Sequence, residues 1–256
     1  MSNIAKAFEQ GTALIPFITC GDPSLEMTER LVPAMADVGA DLIVLGIPFS
    51  DPTAEGPVTQ ESSLRALQNG ATTDKIFGTV KRIREKTDIP LVFRTYANVV
   101  FSYGINRFLK QAARLSIDGL ILPDVPLEEK EEFDELCRQY GLDFISFIAP
   151  SSEERMQAIA KEAAGFLLCA PSPDLGEGAI LANRLRAMAA CTKPVSPVPL
   201  AVRLESPSPE ELSRMACETA GIVIGSAVME LCARYGNDCL VPTADYITQL
   251  KTILNS

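Results

Sequence analysis

The residues best suited to do chemistry in this sequence are carboxylates. Asp51 and Glu55 stand four residues apart in a segment, 47–57, that also holds Pro48, Pro52 and Pro57. Three prolines stiffen a loop, and a long ordered loop is more often functional than decorative. The chain has no histidine. This excludes Ser-His-Asp and Cys-His nucleophiles, imidazole acid–base catalysis and histidine metal sites. Proton transfer must fall to Asp, Glu, Tyr, Lys or Cys. A second motif is Gly225-Ser226, which follows an apolar run and opens a helical pattern. Amides at a helix start and a serine hydroxyl suit an anion such as phosphate, although Gly-Ser is also an ordinary cap.

Elements that could position these groups follow from periodicity. Eight short, β-branched, apolar runs occur at 13–19, 41–46, 90–95, 118–122, 143–149, 165–170, 195–202 and 221–225. They are apolar on both faces, as buried parallel strands must be. Amphipathic patterns alternate with them at 25–38, 73–86, 104–115, 127–140, 152–162, 180–190, 208–219 and 227–235, and a last helix is expected over 243–254. Ser208-Pro209-Glu210-Glu211 is a helix start with its cap, its first-turn proline and its acids. Eight β/α units in 256 residues predict an α/β fold, a (β/α)8 TIM barrel formed as one domain over 1–256. An open doubly wound sheet is the alternative. In a barrel the chemistry sits on loops at the carboxyl ends of the strands, where 47–57 and Gly225-Ser226 both fall.

The bulk numbers narrow the setting. Net charge is −10, with acids spread along the chain, which argues against nucleic acid and anionic membrane surfaces. No apolar run approaches the ~18–20 residues needed to cross a bilayer, and the first residues show no signal peptide. Seven cysteines at irregular spacings, without a C-x-x-C, read as reduced thiols in a cytoplasm rather than a disulfide framework or a metal site.

Specific motifs add a resemblance. Residues 14–23 (LIPFITCGDP), Gly46-Ile47-Pro48-Phe49-Ser50-Asp51-Pro52, Tyr96-Ala97-Asn98, Pro123-Asp124-Val125-Pro126 and Gly225-Ser226-Ala227 resemble, in order and in spacing, the tryptophan synthase α subunit. The resemblance implies a TIM barrel that cleaves indole-3-glycerol phosphate to indole and glyceraldehyde 3-phosphate. It implies no cofactor in this chain and a partner β subunit that holds pyridoxal phosphate, joined in an α2β2 heterotetramer. Indole passes to β, and each subunit activates the other. Phe17, Tyr96, Ile121, Ile148, Gly225 and Ser226 then become substrate-binding positions. Pro48, Phe49, Ser50, Asp51, Pro52 and Asn98 become residues that face or communicate with β.

Departures from the family pattern gather at the chemistry. The family uses a Glu two residues before the Gly of G-I-P-F-S-D-P; Val44 stands there. Its second carboxylate, an Asp before the Gly-Pro that ends the loop, is Glu55 here, one methylene longer. A G-F-G-like turn for phosphate is replaced by Arg203-Leu204-Glu205, and a G-V-T-G in the sixth loop matches the region around Gly176 and Glu177. Leu168 replaces a tyrosine. The expectation is therefore an α subunit whose cleavage is impaired or lost and whose role is to activate β. The alternative is a working lyase that uses Glu55 with a second acid. The absence of tryptophan suits a protein needed when tryptophan is scarce.

Overall fold

The computed structural model describes residues 2–169 and 176–256. Among them nine parallel strands run β1 (Ala13–Thr19), β2 (Ile43–Gly46), β3 (Leu91–Arg94), β4 (Gly119–Ile121), β5 (Asp143–Phe144), β6 (Ser146–Ile148), β7 (Leu167–Cys169), β8 (Leu200–Leu204) and β9 (Gly221–Ile224). Their order is β5-β4-β3-β2-β1-β9-β8-β7-β6. β5 and β6 are two halves of one strand broken at Ile145: the first half pairs with β4 and the second with β7. The ring is thus the expected eight-stranded TIM barrel with helices outside.

Side-chain alternation builds two apolar layers. Leu14, Ile18, Ile43, Leu45, Phe93 and Val202 face outward into the sheet–helix layer. Ile15, Phe17, Leu42, Val44, Ala201 and Val223 fill the interior. A period of two fixes this split once the outer face is claimed by helices. The amino-terminal end of the barrel is plugged by the turn Ile4–Phe8, with Ile4 fully buried and Phe8 packed 5.8 Å from the Phe166 ring. Gly221 makes room for it, since a Cβ there would stand 2.7 Å from Phe8 Cε1.

Several elements differ from the sequence expectation. The seventh strand is Leu200–Leu204, not 195–202. Pro194, Pro197 and Pro199 supply no N–H, so the ladder starts only after them. A helix, Pro57–Gln68, follows the second loop where no helix is expected. Its buried face is Thr59, Ser62, Ser63 and Ala66, too polar to give an apolar period. The last helix starts at Leu240, ahead of 243. Among the described residues, no helix is long and apolar enough to cross a membrane.

Candidate active site at the barrel mouth

The loop 47–57 is held down on the carboxyl-terminal rim. Ile47 N donates to Arg94 O at 2.9 Å, continuing the ladder, and Thr95 Oγ1 donates to Ile47 O at 3.3 Å. Ala54 N donates to the Tyr96 hydroxyl at 2.9 Å, and the Phe49 and Tyr96 rings lie 5.1 Å apart. Burial pushes the Tyr96 phenol up from its ordinary pKa, so it stays protonated. Tyr96 therefore acts here as an anchor for the loop. The helix Pro57–Gln68 is fixed from the other side. Asp22, buried in the first βα loop, accepts from Arg65 Nε at 2.9 Å, Arg65 Nη2 at 2.7 Å and Ser62 Oγ at 2.5 Å.

These anchors deliver Glu55 into the barrel, where it meets two arginines. Its Oε1 lies 2.5 Å from Arg94 Nη2, and its Oε2 accepts from Arg203 Nη1 at 3.0 Å. The side chains of all three are at most 5% exposed. Arg94 ends β3 two residues after inward-facing Val92, and Arg203 lies in β8 two residues after inward-facing Ala201. Alternation alone sends both guanidiniums inward. They stack over the Phe17 ring at 5.4 and 5.5 Å, and Arg94 also lies 5.9 Å from the Phe147 ring centre. A guanidinium is attracted to the negative face of such a ring. Burial first, and then the neighbouring Arg203 charge, push Arg94 down to a pKa of about 10, so it remains cationic at neutral pH.

Below this layer Val44 is 1% exposed and packs with Phe17, Ile121 and Leu168. No proton donor occupies that position. Ile121 belongs to the interior, whereas Ile148 does not: it packs in the outer, sheet–helix layer. In that strand Ile145 and Phe147 point inward, and a period of two turns Ile148 away.

The end expected to hold phosphate is occupied by the chain itself. A Cβ on Gly225 would collide with Glu205 Oε2 and stand 2.8 Å from Arg203 Nε, so the Glu205 carboxylate lies over the glycine. Gly225 N donates to Leu204 O at 2.7 Å, and Ala227 N to Glu205 O at 3.2 Å. Ser226 Oγ donates to Glu230 Oε1 at 3.1 Å. Arg203, expected in the turn after the strand, is in the strand and points into the barrel. Glu177 is exposed and precedes the helix Gly178–Thr192. The rest of the sixth loop, 170–175, lies outside the described residues. Of the expected partner-facing residues, Ser50, Asp51 and Asn98 are exposed, Phe49 and Pro52 are half-buried and Pro48 is buried.

A sequence model for the tryptophan synthase alpha chain matches residues 4–253. The chain belongs to the tryptophan synthase alpha chain family. The α chain of Alkaliphilus metalliredigens is 45% identical over 219 residues, covering 85% of this chain and 82% of that one. The crystal structure of the α subunit from Legionella pneumophila superposes with a TM-score of 0.89 at 31% identity, covering 100% of this chain and 99% of that one. The tryptophan synthase complex from Pyrococcus furiosus gives 0.84 at 29% identity, over 94% of this chain and 98% of its own. The α chain family consists of lyases of tryptophan biosynthesis that act on indole-3-glycerol phosphate. Arg94 is the site residue that the sequence motifs do not single out. The signal was available: an arginine closing the apolar run Leu91-Val92-Phe93, in phase with an inward valine.

Proposed function

We propose that this chain cleaves indole-3-glycerol phosphate poorly or not at all, and serves as the activating partner of a pyridoxal-phosphate β subunit that joins indole to serine. The observation that carries the reading is Glu55. Both of its oxygens are engaged by buried arginines, and Val44 supplies no second acid. A carboxylate clamped between two guanidiniums is committed to those contacts and is poorly placed to carry a proton to and from a substrate. The alternative, a lyase working through Glu55, would have to draw its general base from a carboxylate both of whose oxygens already bind arginine. Glu205 and Glu230 around Gly225 and Ser226 oppose a phosphate dianion by charge.

Docking onto β is supported by the rim. Loop 47–57 is fastened at Ile47, Ala54 and Glu55, so the exposed Ser50 and Asp51 are presented on a preformed surface. A preorganised loop loses little entropy on binding. The likeness to a chain of the Pyrococcus furiosus tryptophan synthase complex supports assembly with a β subunit; the α2β2 heterotetramer is what the family resemblance implies. In this reading the chain carries no cofactor of its own, indole is the small molecule shared with β, and the setting is cytoplasmic, consistent with free thiols. The test has two arms. The β subunit is assayed for tryptophan formation from indole and serine with and without this chain, and the complex is assayed for indole release from indole-3-glycerol phosphate. Activation of β with negligible indole release is expected. Unchanged β turnover refutes the activating role, and rapid cleavage abolished by Glu55→Gln establishes the lyase instead.

A further inference from the structure

The barrel mouth holds more cationic donors than it has acceptors. Each guanidinium presents a planar fork of N–H groups. Against two of them stand the oxygens of Glu55, Thr59 Oγ1 at 3.5 Å from Arg203 Nη2, and Glu205 Oε2 at 3.4 Å from the same nitrogen. Arg94 Nε and Arg203 Nε have no hydrogen-bond partner among the described residues; Glu205 Oε1 is 3.1 Å from the latter but poorly aligned. The buried trio Arg94, Arg203 and Glu55 thus keeps one unmatched positive charge. Glu205, 45% exposed, covers it loosely from the rim. A cavity of about 540 Å3 adjoins the pair, lined by Thr59, Phe147 and Ser226 as well as by both arginines and Glu205. Small-molecule sites have this size, within roughly 300–1,000 Å3.

We propose that Arg94 and Arg203 form a binding site for a small organic carboxylate with an aromatic body, whose carboxylate replaces Glu205 on the arginine pair while its ring lies along Phe147. A planar carboxylate fits a guanidinium fork in bidentate fashion. A monoanion matches the single surplus charge, whereas a phosphate dianion exceeds it by one. Phe17 underneath holds both guanidiniums in place, so the site is preorganised. The proposal rests on the reading that the phosphate end is closed, and binding is measured without turnover or β subunit, so either can fail while the other stands.

The experiment is isothermal titration of the full chain with benzoate, indole-3-acetate, inorganic phosphate and glycerol 3-phosphate, with Glu205→Gln and Arg203→Met alongside. Circular dichroism melts check that the variants fold. Both carboxylates are expected to bind at least about tenfold more tightly than either phosphate compound. Glu205→Gln should tighten them about three- to tenfold by removing the resident competitor, and Arg203→Met should weaken them about tenfold or more. If Arg203→Met does not fold, Glu205→Gln still decides. Carboxylates that bind neither the parent nor Glu205→Gln at 10 mM on the order of ordinary weak affinities, no tightening in Glu205→Gln, or a preference for phosphate would each overturn the proposal.

Discussion

Glu55→Gln tests the central claim that a buried charge triad holds the second loop in the barrel. The substitution keeps shape and removes one charge. In the parent, Oε1 is 2.5 Å from Arg94 and Oε2 is 3.0 Å from Arg203, with every partner at most 5% exposed. Glutamine retains one acceptor oxygen but turns an NH2 toward the other guanidinium, a donor against a donor. Two buried like charges then face each other without their shared anion. Removing one partner of a buried ion pair costs about 3–5 kcal/mol. The triad borders an open cavity that water can enter, which favours the lower end, about 3 kcal/mol. For a chain of this size each kcal/mol moves Tm by roughly 2–4 °C, so the expected fall is roughly 6–12 °C. Glu205→Gln is the control: its carboxylate is 45% exposed, and its loss should cost no more than about 1 kcal/mol. Thermal and urea melts at pH 7 provide the measurement. The reasoning makes a further demand on Arg94→Met in the Glu55→Gln background, which should recover part of the loss because the surplus cation is gone. A Glu55→Gln chain melting within about 2 °C of the parent would refute the idea that the triad fastens the loop.

Val44→Glu introduces the carboxylate that the family resemblance implies at this position but leaves Arg203 and Glu205 across the phosphate end; under the proposed function indole release should rise less than about tenfold, where a working general acid–base group brings roughly 10²–10⁴-fold. A gain of a hundredfold from that single change would show that the mouth is open to substrate after all. Alkaline stability follows from three thiols, Cys20, Cys137 and Cys169, each pushed up to a pKa of about 12 by burial. The unfolded chain ionises them near their ordinary value of 9.0, so the stability they protect is intact below pH 9 and is lost as pH rises toward 12. The slope should approach about 1.4 kcal/mol per pH unit for each thiol, or roughly 4 for the three, in urea melts at pH 8, 9 and 10; a flat profile over that range contradicts it. Finally, of the seven cysteines only exposed Cys217 and half-buried Cys191 should react rapidly with a chromogenic disulfide in the native state. Five further thiols should appear on unfolding, and more than two fast equivalents would contradict the packing.

Much of the barrel is legible in the chain because strands buried on both faces must be apolar throughout. Run 13–19 coincides with β1, and the helix 227–235 with Ala227–Tyr235. The helix Pro57–Gln68 was hidden for the opposite reason: it docks through Thr59, Ser62 and Ser63, whose hydroxyls carry no hydrophobic period. Ile148, expected at the substrate pocket, packs in the outer layer, and in a strand one position is the whole difference between the barrel interior and the helix layer.

The sequence by itself determined the alternation of strand and helix, the loop that carries Glu55, and the apolar side chain at Val44, because each depends on residue type and local order. It also set the phase that turns Arg94 and Arg203 inward. It could not bring them together. The two arginines are 109 positions apart by their numbers and lie on β3 and β8, on opposite sides of β1 and β2 in the strand order. Only ring closure places both above Phe17, and only the loop anchored by Tyr96 and Asp22 drops Glu55 between them. A charge triad of this kind is a property of where three side chains meet in a low-dielectric space, and no spacing along the chain encodes that meeting.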